Sequence, residues 1–154
     1  MGLTVAERNK YLEFLDEFKS EDLAFMQYTR WKCLTDLYWF GSEFYGWKHS
    51  CDPKNPKRRR VDPVFHKWLA AEIQKPGDKL ILVPRLHLKS TWVKLDIVRK
   101  VLMNPNGRIG LFSVASRLVE KELVEIKNLF QKPELRELFP DIIPEPGKDF
   151  RGWE

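Results

Sequence analysis

The amino-acid sequence reads as an α/β protein: a parallel βαβ core behind an N-terminal helical region, with the domain incomplete. Three features carry that reading. Lys79 to Val83 is a short, almost continuously apolar run, the pattern of a strand buried in a parallel sheet. Arg108 to Val114 repeats it, with Ile109, Leu111, Phe112 and Val114. Between them, Ser90 to Leu102 sets Val93, Ile97 and Val101 at four-residue steps. That is a helix, and as a crossover between parallel strands it is right-handed.

The other elements follow in order. Thr4 and Glu7 have the spacing of a capping box, opening a helix that carries Tyr11, Leu12, Phe14, Leu15 and Phe18. Ser20 can cap a second helix through Trp31 and beyond. Leu34 to Trp47 stays helical and strongly aromatic, which suits a packing face; an exposed stacking platform for bases has the same pattern. His49 to Asp62 reads as a loop, with Asp52-Pro53, Asn55-Pro56 and a basic run. Pro63 sits in the first turn of a helix carrying Phe65, Trp68, Leu69 and Ile73. Asn104 to Gly107 is a turn. Ser116 can cap a helix whose face is Val119, Leu123, Ile126 and Phe130, and Pro133 restarts a short helix reaching Phe139. Two regions result: 1–62, helical and aromatic-rich with a basic loop at 52–62, and 63–154, which holds the βαβ unit.

The chain has 154 residues, 43% hydrophobic and 32% charged, the composition of an ordinary globular domain. No apolar run approaches the roughly 20 residues of a membrane span, and Met1 to Lys10 lacks the apolar core of a secretory signal, so an intracellular protein with no membrane partner is expected. Cys33 and Cys51 form no C-x-x-C pair, and His49 beside Cys51 has no further ligand pair in view. A net charge of +5 favours an acidic partner. Lys57, Arg58, Arg59 and Arg60 concentrate that charge. They are a solvated basic loop or a phosphate-contacting patch for DNA.

The chemistry centres on Pro84-Arg85-Leu86-His87-Leu88-Lys89-Ser90-Thr91, between an apolar run and a helix start. That layout is a phosphate-binding loop at 84–91, and makes the expected core P-loop NTPase-like. Val83 and Leu88 occupy the positions where such loops usually carry glycine. Lys89 supplies a mobile charge for β- and γ-phosphates, Ser90 a hydroxyl for Mg²⁺, and the helix start a set of free N–H groups. Arg85 adds a planar charged fork able to stabilise a transferring phosphoryl group. Thr91 is a second hydroxyl or a first-turn residue, and His87 either touches a phosphate or stands in solvent. An ordinary helix start with a solvated lysine also accounts for Lys-Ser-Thr taken alone. Leu88 lacks easy access to positive φ, so the loop takes another path or carries strain.

These residues resemble the large terminase subunit of tailed bacteriophages, the motor that packages DNA. Pro84 to Thr91 is similar to that family's Pro-Arg-Gly-His-x-Lys-Ser-Thr form, with Leu86 where the form has glycine. Asp36-Leu37-Tyr38-Trp39-Phe40 and Val61-Asp62-Pro63-Val64-Phe65-His66 resemble the stretch ahead of the loop. Ser113, Glu120, Leu123 and Ile126, then Pro133 to Pro140, resemble the stretch after it, so the likeness spans about 34 to 154. The resemblance implies ATP and Mg²⁺ as cofactors and Lys89 on the β/γ-phosphates. It also implies Ser90 on Mg²⁺ and Arg85 as sensor or stabiliser of the γ-phosphate. It implies double-stranded DNA, a portal protein and the small terminase subunit as partners, a possible homo-oligomeric ring, and a place in the host cytoplasm, transiently at the procapsid portal. The family's adenine-contacting glutamine has no counterpart at Phe65-His66.

An ATPase of this class also needs an apolar strand ending in Asp-Glu, and no such pattern follows Lys89. Asp141 follows a proline and Glu145 lies between prolines. The family's nuclease domain has no counterpart either. The expectation is therefore an N-terminal part of a terminase, truncated before the acidic strand, that binds nucleotide weakly and turns over little. Two alternatives stay open. One is a non-catalytic DNA-binding fragment using Lys57 to Arg60. The other is a sulfotransferase-like nucleotide-binding protein, since Pro84-Arg85 and Ser90-Thr91-Trp92 resemble that family's donor loop.

Overall fold

The computed structural model describes residues 3–49, 61–85 and 87–144, together with the backbone of 51–52 and 55–59. The chain starts with α1 (Val5–Phe18) and α2 (Glu21–Thr35). A single turn, α3 (Leu37–Trp39), widens into a π-helical turn at Phe40–Phe44 and ends in a 3-10 turn at Trp47–His49. Strands β1 (Cys51–Asp52) and β2 (Asn55–Arg59) follow, then α4 (Pro63–Gln74), α5 (Lys89–Met103), α6 (Ser116–Phe130) and α7 (Pro133–Leu138).

Local chemistry sets the helix starts. The Thr4 hydroxyl accepts from the Glu7 N–H at 3.3 Å while the Glu7 carboxylate accepts from the Thr4 N–H at 2.7 Å, a complete capping box. The Asp62 carboxylate accepts from the Phe65 N–H at 2.7 Å, and Pro63 stands at the first helical position, where its missing N–H costs nothing. Ser20 occupies the cap position of α2 without a side-chain bond to the helix. Ser116 does not cap α6; it is the first helical residue, and Ala115 precedes it.

The predicted parallel βαβ core is overturned. Among the described residues the only sheet is two-stranded and antiparallel, β1 beside β2, in the segment read as a loop. The rest of the regular structure is helical. Neither 79–83 nor 108–114 pairs with anything. Ile81 and Leu111 rest against the core, while Leu80 and Leu82 are 84% and 82% exposed and Phe112 is 93% exposed. The physical reason is that an apolar run qualifies as a strand only when a neighbour takes up its N–H and C=O groups and both faces are covered. Here Ile81 and Leu111 alone of these two runs pack against the core, and most of the other side chains meet water.

The core is instead built by helices around Trp92 of α5, which is fully buried. Tyr38 stacks on its ring at a centroid distance of 5.8 Å, and Trp47 meets it edge-on at 5.3 Å. A Cβ at Gly41 would lie 2.6 Å from the Trp92 ring and 2.8 Å from Trp47, so only glycine fits there. The aromatic stretch 34–47 is thus packing rather than an open platform: Leu37 and Phe40 are fully buried. Leu95 and Val98 of α5 and Leu69 of α4 join the same cluster, as do Phe130 of α6, Leu135 of α7 and Phe139 just after it. Buried charges are paired. Asp96 accepts from Arg99 at 2.6 and 2.9 Å and from Lys100 at 2.8 Å, and Arg99 also reaches the Leu34 carbonyl at 3.0 Å, tying α5 to α2. Lys94 bridges α5 to Glu122, at 2.8 Å, and Glu125 of α6. Among the described residues no helix is long and apolar enough to cross a membrane.

Candidate functional site

Residues 83–85 and 87–91 lie at the start of α5. The helix begins at Lys89, and the residue before it, Leu88, takes the left-handed conformation at φ 52° and ψ 19°. The backbone therefore follows the strained route, with leucine doing what glycine does in most such loops, at a cost of about 1–2 kcal/mol. Its half-buried side chain packs against the core and helps hold that geometry.

Lys89 folds back across the loop, and its ammonium donates to the Val83 carbonyl at 2.9 Å. Lysine is a three-donor group, so this bond leaves donors for a second acceptor. The cap position of α5 offers no side-chain acceptor, and the first bond of the helix runs from the Trp92 N–H to the Leu88 carbonyl at 3.0 Å. The N–H groups of Lys89, Ser90 and Thr91 precede that bond and lie at the positive end of a 15-residue helix dipole. Ser90 is exposed and Thr91 half-buried. Pro84 and Arg85 are exposed too, and the Arg85 guanidinium forms no ion pair among the described residues.

The loop rests on α4. The His87 ring stands edge to Phe65 at 5.3 Å and bonds back to the Arg85 carbonyl at 3.0 Å. From beneath, His66 places Nε2 at 3.2 Å from the His87 carbonyl. With no parallel sheet among the described residues, this loop stands on two helices.

The structure thus brings together Pro84, Arg85, His87, Leu88, Lys89, Ser90 and Thr91. Leu86 lies outside the described residues. Of the basic run, Lys57, Arg58 and Arg59 are on β2, where only the backbone is described, and Arg60 lies outside the described residues. His66 is the residue the motif left out. Its signal was its place four residues after Asp62, within bonding reach of the same helix start.

The surroundings suit an anion better than a metal ion. Among the described residues no three His, Cys, Asp or Glu side chains gather as ligands. The side-chain hydroxyls of this loop are those of Ser90 and Thr91, oxygen donors of the type Mg²⁺ takes. Cys33 is no nucleophile: it is fully buried, and burial pushes its thiol well up from its usual range. No family model, curated protein or solved structure matches the chain.

Proposed function

We propose that loop 84–91 binds the phosphates of ATP and that the chain serves as the nucleotide-binding part of a DNA-packaging motor of the phage terminase large-subunit kind. The observation that carries the phosphate reading is the turn itself. The Lys89 ammonium is folded onto the Val83 carbonyl at 2.9 Å, at the uncapped start of α5. The reading rests on this local geometry and on the sequence likeness, with no sheet behind the loop.

In it, Lys89 and the first-turn N–H groups of α5 bind and orient the β- and γ-phosphates. Arg85, exposed beside them, supplies charge to the terminal phosphate. Ser90 holds Mg²⁺, which when bound neutralises phosphate charge. The basic residues Lys57 to Arg60 would meet duplex DNA. Portal protein, small terminase subunit and further copies of the chain in a ring are the partners of this reading, in the host cytoplasm. No apolar strand ending in Asp-Glu follows the loop, so turnover by this chain alone is expected to be slight.

Calorimetric titration with Mg-ATP tests the reading. Lys89→Ala is expected to weaken binding about tenfold to a hundredfold, the worth of a charged hydrogen bond. Equal binding by the variant, or none by the parent chain, would sink it. Retention on duplex DNA that weakens steeply with salt, without any thermal shift from nucleotide, would leave the non-catalytic DNA-binding alternative.

A further inference from the structure

We infer that His66 is a positioning residue for loop 84–91: it holds the His87–Leu88 peptide so that the loop turns an N–H, and not a carbonyl, toward an incoming anion. This rests on the reading of the loop as a phosphate site. The ring of His66 is 3% exposed, tilted against Trp92 at 5.9 Å and set edge to Phe65 at 5.1 Å. It has no room to rotate freely.

Its protonation pattern follows from its neighbours. The backbone N–H of Asp62 donates to Nδ1 at 2.8 Å. A ring nitrogen accepts only through a free lone pair, so Nδ1 carries no proton and Nε2 does. The Asp62 carbonyl at 3.0 Å from Nδ1 is then a neighbour without a bond. The Nε2–H is left facing the His87 carbonyl at 3.2 Å, and it donates there.

The consequence lies in the next peptide bond. Among the described residues there are no cis peptides, and in a planar trans peptide the C=O and N–H point in opposite directions. Drawing the His87 oxygen inward, to a buried donor, turns the Leu88 N–H outward, away from the core. The rotation that would reverse this peptide also changes φ of Leu88, carrying it from 52° to the extended region that leucine prefers. Leu88 alone therefore pulls the peptide the wrong way for anion binding. The His66 bond opposes that pull: it is partly buried, and losing the donor takes the carbonyl's partner away. One buried histidine thus offsets the missing glycine.

The test combines NMR with pyrophosphate titration on the whole chain. In the parent chain, nitrogen-15 spectra should show the neutral Nε2–H tautomer for His66. A strong intraresidue Hα–HN contact should mark positive φ at Leu88. His66→Phe keeps a ring but no donor, and should lose that Leu88 signature and weaken pyrophosphate binding about tenfold, the worth of one hydrogen bond. His66→Gln carries an amide donor and should restore both to within about threefold. A proton on Nδ1 in the parent chain would overturn the inference without any variant. So would a His66→Phe protein that keeps positive φ at Leu88 and parental affinity. If the parent chain binds no pyrophosphate at all, the phosphate-loop reading falls with it, and the NMR signatures alone decide whether His66 sets the peptide.

Discussion

Glu7 shows how much one side chain can carry. Its carboxylate accepts from the Thr4 N–H, from the Thr4 hydroxyl at 2.8 Å, and from the ammonium of Lys32 on α2. The Lys32 bond first, and then the Thr4 bonds, pull it down to about 2 from an ordinary 4.5. On Lys32, burial works against the charge, but Glu7 and Asp36 (2.9 Å) outweigh it and raise it. A carboxyl more acidic in the folded chain than in the unfolded one stabilises the fold fully above pH 4.5, and that contribution drains away as pH falls toward 2. Urea unfolding across this range should show the decline. Glu7→Gln should cost about 1–2 kcal/mol at neutral pH, since water screens part of the pair, and should flatten the acid limb. An unchanged acid limb would mean that Glu7 is not its source. The sequence showed the capping box but not Lys32, because a contact across two helices leaves no mark in local spacing.

Helices were legible wherever their cause is local. Thr4 with Glu7 opens α1, Pro63 stands in the first turn of α4, and Val93, Ile97 and Val101 flank the buried face of α5, which is Trp92, Leu95, Val98 and Leu102. The two expected strands were not, because pairing depends on what lies alongside and not on the run itself. Lys79 to Val83 and Arg108 to Val114 have the composition of strands and the surroundings of connecting segments. The loop shared both conditions. Its lysine and its helix start were readable, while the bond from His66 to a carbonyl 21 residues away was not. The π-helical turn at Phe40–Phe44 is tightly bound by its neighbours at Gly41. Gly41→Ala would push a methyl into two indole rings and should cost about 1–3 kcal/mol, measured as a lower midpoint of thermal unfolding. A neutral result would show that Trp92 and Trp47 can part there.

As a whole, the molecule pairs a dense helical centre with uncovered apolar segments. Leu80, Leu82 and Phe112 face solvent on a chain whose net charge of +5 helps keep copies apart. Leu82→Lys combined with Phe112→Lys should raise solubility and change stability by no more than about 0.5 kcal/mol, read from concentration-dependent light scattering and urea melts. A loss above about 2 kcal/mol would show that these side chains are covered. The opposite extreme is α1, which buries no side chain and leans on α2 through Glu7 with Lys32 and through Tyr11 edge-on to Tyr28 at 5.9 Å. An element that buries no side chain of its own is expected to open below the free energy of global unfolding. In hydrogen exchange its amide protons should trade with solvent while those of α5 remain protected. The joint at Lys19, between α1 and α2, should then be open to trypsin in limited digestion.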